Sequence, residues 1–199
     1  MRAWLRTRTA WWALLALGVL PLAWLLWGAA SDSLGANPAE ALIRATGDWT
    51  LRGLCLTLAI TPLRVRLGWP ELLRFRRLLG LLTFAYALLH LLAYAWLDMG
   101  LELQDIVRDL PKRPFVLVGS LAFVLLTPMA ATSWNGAIRR LGARRWQALH
   151  RSIYAVAALA VLHFWWMRAG KNNFSDVWVY GLVLAALLAW RWLRRVPHP

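Results

Sequence analysis

WQALHRSIYAVAALAVLHFWW, residues 146–166, is an apolar run long enough to cross a bilayer, and it carries two histidines, His150 and His163. A helix needs about 20 apolar residues to span the hydrocarbon. An ionisable ring inside such a helix is costly, and by default it marks a function. The run belongs to a set of six, at residues 11–30, 49–65, 78–97, 115–132, 146–167 and 177–192. The chain is 60% hydrophobic, against about 45–50% for soluble domains. The pattern predicts an all-α integral membrane protein: a six-transmembrane-helix bundle forming one domain over residues 1–199, with no soluble domain and no visible internal repeat.

The formal net charge of +14 would suggest nucleic acid in a soluble chain. Here the arginines fall between the hydrophobic runs, and no recognition motif or stacking platform accompanies them, so no nucleic-acid partner is expected. Sixteen basic residues lie in the N-terminal segment, the second and fourth connections and the tail, among them Arg2, Arg64, Arg76, Arg77, Arg144, Arg145 and Arg195. Six lie in the opposite loops, including Arg44, Lys112 and Lys171, and eight of the nine carboxylates, all but Glu71, fall on that side too. The positive-inside rule then places both termini in the cytoplasm.

Segment 49–65 is the weakest, with Arg52 near one end and Pro62 near the other. Arginine can snorkel from there and proline is tolerated where a helix ends. The first segment is preceded by a basic stretch and followed by GAAS, as in a signal peptide, but its apolar run is too long for one and is read as an uncleaved helix. Cys55 is the sole cysteine. It excludes disulfides, thiolate zinc sites and iron–sulfur clusters and reads as a small core residue.

His90, His150 and His163 therefore carry the chemistry, while His198 sits in the C-terminal PHP without a role. A single such histidine can be a packing residue bonded to a neighbouring helix. Three on two helices fit that reading poorly. No carboxylate lies in the middle of a segment, which disfavours a proton relay or cation transporter. Zinc wants three or four close ligands, and these histidines lie at different depths. Neutral imidazoles in an aromatic, apolar setting suit haem iron, which takes two axial ligands. His90 is about 18 Å beyond Leu78 at 1.5 Å per residue, a level similar to that of His163, so the two can face each other across one porphyrin. His150 is about 20 Å from His163 by the same rise, and at the corresponding register of the third helix stand Arg76 and Arg77. On an ideal helix His150 and His163 lie about 220° apart, so they share no face unless that helix is tilted, bent or irregular. One haem site is therefore better supported than two. His150 is left with three roles: ligand of a second haem with a non-histidine partner, contact for a flavin, or contact for a quinone.

Taken together, NPAEALIRATGDW, LTLAITPLR, RRLLGLLTFAYALLH, DLPKRPFVLVG and LGARRWQALHRSIY followed by LHFWW resemble the MsrQ family, formerly YedZ. These are haem-binding membrane subunits of the bacterial MsrPQ methionine sulfoxide reductase system, related more widely to the ferric-reductase-like transmembrane domain of NADPH oxidases. The resemblance covers nearly the whole chain. It implies a haem b cytochrome associated with FMN in the bacterial inner membrane. Electrons would come from the quinone pool or a cytosolic flavin reductase and pass to periplasmic MsrP, the molybdenum enzyme that itself reduces methionine sulfoxide. It carries the haem-ligand role over to His90, His150 and His163. NADPH oxidases bind two haems through two histidine pairs; this chain lacks the second histidine on its third helix, so the count stands at one or two.

Arg74, Arg76, Arg77, Arg144 and Arg145 could pair with haem propionates or flavin phosphate, or serve only to set topology. Trp165, Trp166 and Trp178 could flank an electron exit or anchor the interface. Lys112–Pro114 could dock MsrP or simply precede a helix. Two other functions remain open: a stand-alone ferric or oxygen reductase of the same class, and a haem-free histidine-dependent transporter.

Overall fold

Hydrophobic runs become helices in the computed structural model, which describes residues 2–170 and 172–194. Lys171, Arg195 and His198 lie outside the described residues. All regular structure among the described residues is helical. Five stretches are long and apolar enough to cross a membrane: Arg8–Ala30, Pro70–Asp98, Pro114–Ala131, Ala143–Ala169 and Ser175–Arg194. The chain divides into two compact units, residues 1–101 and 102–199.

The first unit opens with α1 (Arg2–Leu5) and α2 (Arg8–Ala30), and the Thr7 side chain caps α2 by accepting from the Ala10 amide at 3.2 Å. α3 (Pro38–Leu67) starts well before the hydrophobic segment it contains. The reason is local chemistry. The Asn37 side chain accepts from the Glu40 amide at 3.1 Å, Pro38 supplies a preset φ at the first position, and Glu40 pairs with Arg44 one turn on. Stretch 38–48, expected as loop, is therefore helix. α3 is not among the five apolar stretches, because Arg52, Arg64 and Arg66 interrupt its hydrophobic part. Pro62, expected where the helix ends, lies buried inside α3, which runs on to Leu67 and stops at Gly68, whose φ of 63° is left-handed. Arg52 places its guanidinium 4.7 Å from the Trp49 ring centre.

A 3₁₀ turn (Pro70–Leu72) leads into α4 (Leu73–Ala93), which continues as a π turn at Tyr94–Asp98. α4 packs along α3, where Gly53 lets Thr83 approach and the Thr83 hydroxyl donates back to the Leu79 carbonyl. In hydrocarbon, small residues and hydroxyl bonds of this kind replace the hydrophobic effect as the source of helix association. α2 is tied to α4 differently. Pro21 interrupts its backbone ladder, and there the Tyr86 hydroxyl donates to the Gly18 carbonyl at 2.8 Å and accepts from the Leu22 amide at 3.2 Å. A neighbouring helix thus supplies what a proline-interrupted membrane helix needs. At the other end, Arg6 pairs with Glu71 at 2.6 Å and Arg74 donates to the Leu5 carbonyl at 3.1 Å.

The second unit holds α5 (Leu103–Asp109), α6 (Pro114–Ala131), α7 (Asn135–Leu141), α8 (Ala143–His150), α9 (Ile153–Ala169) and α10 (Ser175–Arg194). α9 packs against α6 and α10. Residues 146–167, expected as one helix, are divided between α8 and α9. At the join the Arg151 amide donates to Gln147 and Ala148, the Ser152 amide to Leu149 and the Tyr154 amide to Arg151. Beside the ordinary i→i−4 bond to Gln147, the other three are tight i→i−3 bonds, while the Ser152 hydroxyl bonds the Leu149 carbonyl at 2.7 Å. The angle between His150 and His163 drawn on an ideal helix therefore does not apply.

Removing only the Tyr86 hydroxyl, as Tyr86→Phe, should cost about 1 kcal/mol by loss of the bridge at Pro21. Thermal melting in detergent, followed by tryptophan fluorescence, should show a transition lower by a few degrees.

Candidate functional site

His90 and His163 are seated by the same device, once in each unit. On α4, the Nδ1 of His90 lies 2.8 Å from the Ile43 carbonyl oxygen of α3. On α9, the Nδ1 of His163 lies 2.6 Å from the Phe115 carbonyl oxygen of α6. A carbonyl oxygen only accepts, so Nδ1 carries the proton in both rings. In the neutral imidazole, Nε2 is then the nitrogen with the lone pair. Both carbonyls lie near a helix start that opens on proline, Pro38 for α3 and Pro114 for α6. The buried Thr46 hydroxyl, with its single proton, lies beside the Ile43 acceptor, 2.7 Å from the Leu42 oxygen and 3.0 Å from that of Ile43.

A glycine follows each accepting carbonyl by one turn. A Cβ on Gly47 would come within 3.0 Å of Cε1 and 3.1 Å of Nδ1 of His90. On Gly119 it would come within 2.8 Å of Nδ1 and 2.9 Å of Cε1 of His163. The Nδ1–Cε1 edge of each ring thus lies close against the neighbouring helix. Sequence reading passed over both glycines. Their signal was present, as Ile43-x-x-x-Gly47 and Phe115-x-x-x-Gly119, but it has meaning only once a ring is known to face them.

His150 is held in another way. Its Nδ1 lies 3.1 Å from the Trp146 carbonyl of its own helix, and its ring stacks on Trp146 with centroids 3.9 Å apart. Trp146 is in turn anchored by its indole N–H to the Thr132 carbonyl at 3.0 Å. The seat is a local one, at the end of α8 beside the break, and the His150 Nε2 atom is buried.

Of the arginines considered, Arg76 is half-buried and Arg77 exposed near the start of α4, while Arg144 and Arg145 are exposed in the first turn of α8. Arg74 is engaged with Leu5, as above. Trp165 meets Trp178 edge-on at 5.4 Å and Phe174 at 4.9 Å, which makes an aromatic cluster where α9 ends and α10 begins. At Lys112–Pro114, Arg113 is clamped to Asp109 at 2.6 Å and Pro114 opens α6, so this stretch builds a helix start. Among the described residues, no three His, Cys, Asp or Glu side chains gather as they would in a metal cage. What the site offers is separate, oriented, neutral imidazoles in an apolar setting.

Residues 46–161 match the family model described as "Ferric reductase like transmembrane component". That span takes in His90 and His150, and His163 lies two residues beyond it. A ferric-reductase-like transmembrane protein is thus the class that the helices and their histidines define. Over 96% of its length the chain is 57% identical to a Polaromonas naphthalenivorans protein, of which it covers 90%. It is 50% identical to one from Herminiimonas arsenicoxydans, with 92% and 84% covered, and 45% identical to one from Caulobacter vibrioides, with 86% and 80% covered. Each of these is named "Protein-methionine-sulfoxide reductase heme-binding subunit MsrQ". The chain belongs to the MsrQ family. No solved structure matches it.

Nitrogen NMR of the histidine-labelled, cofactor-free protein should show His90 and His163 protonated at Nδ1 and unprotonated at Nε2. A proton on Nε2 with a bare Nδ1 in either ring would contradict the seats described above.

Proposed function

We propose that this chain is a six-span b-type cytochrome of a bacterial inner membrane, with both termini in the cytoplasm and one haem domain over its length. In this reading His90 and His163 are the axial ligands of haem b. The observation that carries it is the shared seat. On two different membrane helices, an imidazole gives its Nδ1 proton to a neighbouring backbone carbonyl and keeps Nε2 as a donor atom. This is the usual arrangement of a metal-ligating histidine, whose second nitrogen is held by a carbonyl or carboxylate that fixes the ring and raises its basicity. Two such rings meet the axial demand of haem iron, and the relatives are named as heme-binding subunits.

Bound haem would supply a one-electron centre within the hydrocarbon. The chain's own part is to hold the ligand rings, keep water away from them and prevent their protonation. The apolar, aromatic faces of α4, α6 and α9 suit that task. The sixth span is α3, whose 30 residues would cover about 45 Å. The basic connections, rich in arginine at 64–77 and 139–151, support the cytoplasmic placement of the termini.

Electrons enter from the quinone pool or a cytosolic flavin reductase and leave to the periplasmic molybdenum subunit MsrP, in this reading. FMN is the second cofactor. Arg76 and Arg77, at the cytoplasmic start of α4, are the residues assigned to propionate or flavin phosphate. Exposed tryptophans such as Trp24, Trp27 and Trp192 suit contact with lipid.

The purified protein should show b-type Soret and alpha bands in a reduced-minus-oxidised spectrum, and their absence would end the cytochrome reading. His90→Ala or His163→Ala should abolish the main haem signal, while His150→Ala should leave much of it. A pyridine haemochrome assay should give one haem per chain; two would bring His150 in as a ligand. Reduced protein mixed with MsrP and methionine sulfoxide should be reoxidised. Reoxidation by ferric chelate or oxygen, but not by MsrP, would assign a different acceptor.

A further inference from the structure

The glycines of α3 and α6 are not equivalent to the other glycines of the chain. A Cβ on Gly18 would meet Leu82, on Gly28 Leu34, on Gly53 Thr83 and on Gly136 Trp134. On Gly80 or Gly181 it would meet only ordinary contacts, at 3.9 Å from Thr57 and 3.7 Å from Val161. Only Gly47 and Gly119, among the described residues, have a histidine ring for all of their nearest neighbours. Each also lies four residues after the carbonyl that the same ring bonds. Three features thus recur together in both units: a ring, a carbonyl and a missing side chain one turn later.

We infer that Gly47 and Gly119 are positioning residues for the ligand imidazoles, each leaving the space in which the ring lies against the next helix with its Nδ1–H on the carbonyl one turn earlier. This rests on the haem-ligand reading above. A methyl group at either position occupies the place of the ring edge. The ring must then turn or withdraw, and the Nδ1 bond lengthens with it. Nε2 loses basicity as that bond weakens, so it binds iron less tightly and favours the ferric state less. The separations grade the effect. At Gly119 a Cβ would stand closer than real Cβ contacts allow, whereas at Gly47 a displacement of a few tenths of an ångström would accommodate it. As a helix residue alone, alanine would be the better choice at both positions, so helix propensity predicts no harm from the change.

The test compares Gly119→Ala, Gly47→Ala and Gly80→Ala with the parent protein in detergent. Size exclusion provides the folding control. The readouts are haem transfer to apomyoglobin, the midpoint potential and the low-temperature electron paramagnetic resonance of the ferric state. Gly119→Ala should hold haem roughly 10–100-fold less tightly, with a more positive potential and shifted g values. Gly47→Ala should move the same way by less, and Gly80→Ala should not move. If Gly119→Ala does not fold, Gly47→Ala carries the test alone. Parent-like retention, potential and g values in Gly119→Ala and Gly47→Ala overturn the inference, provided His90→Ala and His163→Ala still lose haem. Equal losses in Gly80→Ala overturn it too, by making the effect one of helix packing. If the two histidine variants keep their haem, the ligand reading itself fails and takes the inference with it.

Discussion

An imidazole N–H placed in hydrocarbon has no water to satisfy it, and here it is satisfied by a backbone carbonyl on the next helix. Much of the local architecture follows from that constraint. A helical carbonyl already serves its own ladder, so it can take a second donor only where its oxygen is open to one side. Gly47 and Gly119, one turn beyond Ile43 and Phe115, clear that approach. The helix pairs α3–α4 and α6–α9 are thus held by packing and also by a directional bond to the residue of functional interest. In apolar surroundings such a bond fixes the tautomer as well as the position of the ring.

The same economy governs the other polar groups in these helices. Thr46, Thr83 and Thr127 return their hydroxyls to carbonyls three or four residues earlier, which leaves the helix surface apolar. Tyr86 reaches across to the backbone freed by Pro21. None of these interactions brings a formal charge into a span. Charged partners gather instead near helix ends, as in Arg6–Glu71 and Arg113–Asp109.

Hydrophobic runs and embedded histidines were legible because lipid imposes a length on the first and a cost on the second. That reading recovered helical cores for all six segments and picked out the histidines the structure seats most distinctively. It missed the true start of α3, although Asn37, Pro38 and Glu40 form a recognisable cap, because a hydropathy pattern does not register a polar first turn. It also missed the division of residues 146–167. No glycine or proline marks Arg151–Ser152, and the turn arises from a hydroxyl and i→i−3 bonds that many sequences could make. The partners of His90 and His163 were beyond reach for a simpler reason. Every residue has a carbonyl, so which one a ring will bond is a matter of helix register and not of residue type. The repeated seat is not visible as an internal sequence repeat on the same grounds, since Ile43 and Phe115 share no side-chain chemistry.

The join between α8 and α9 has a mechanical consequence. A continuous helix behaves as a torsion rod, and turning one end turns the other. At Arg151–Ser152 the ladder tightens into i→i−3 bonds, so α8 and α9 are not one uniform rod. His163 is held against the start of α6 by its own bond to Phe115, while Trp146 is tied to the other end of α6 through the Thr132 carbonyl. The two ends of residues 143–169 are thus anchored to opposite ends of α6 by separate bonds, and no single unbroken ladder connects one anchor to the other.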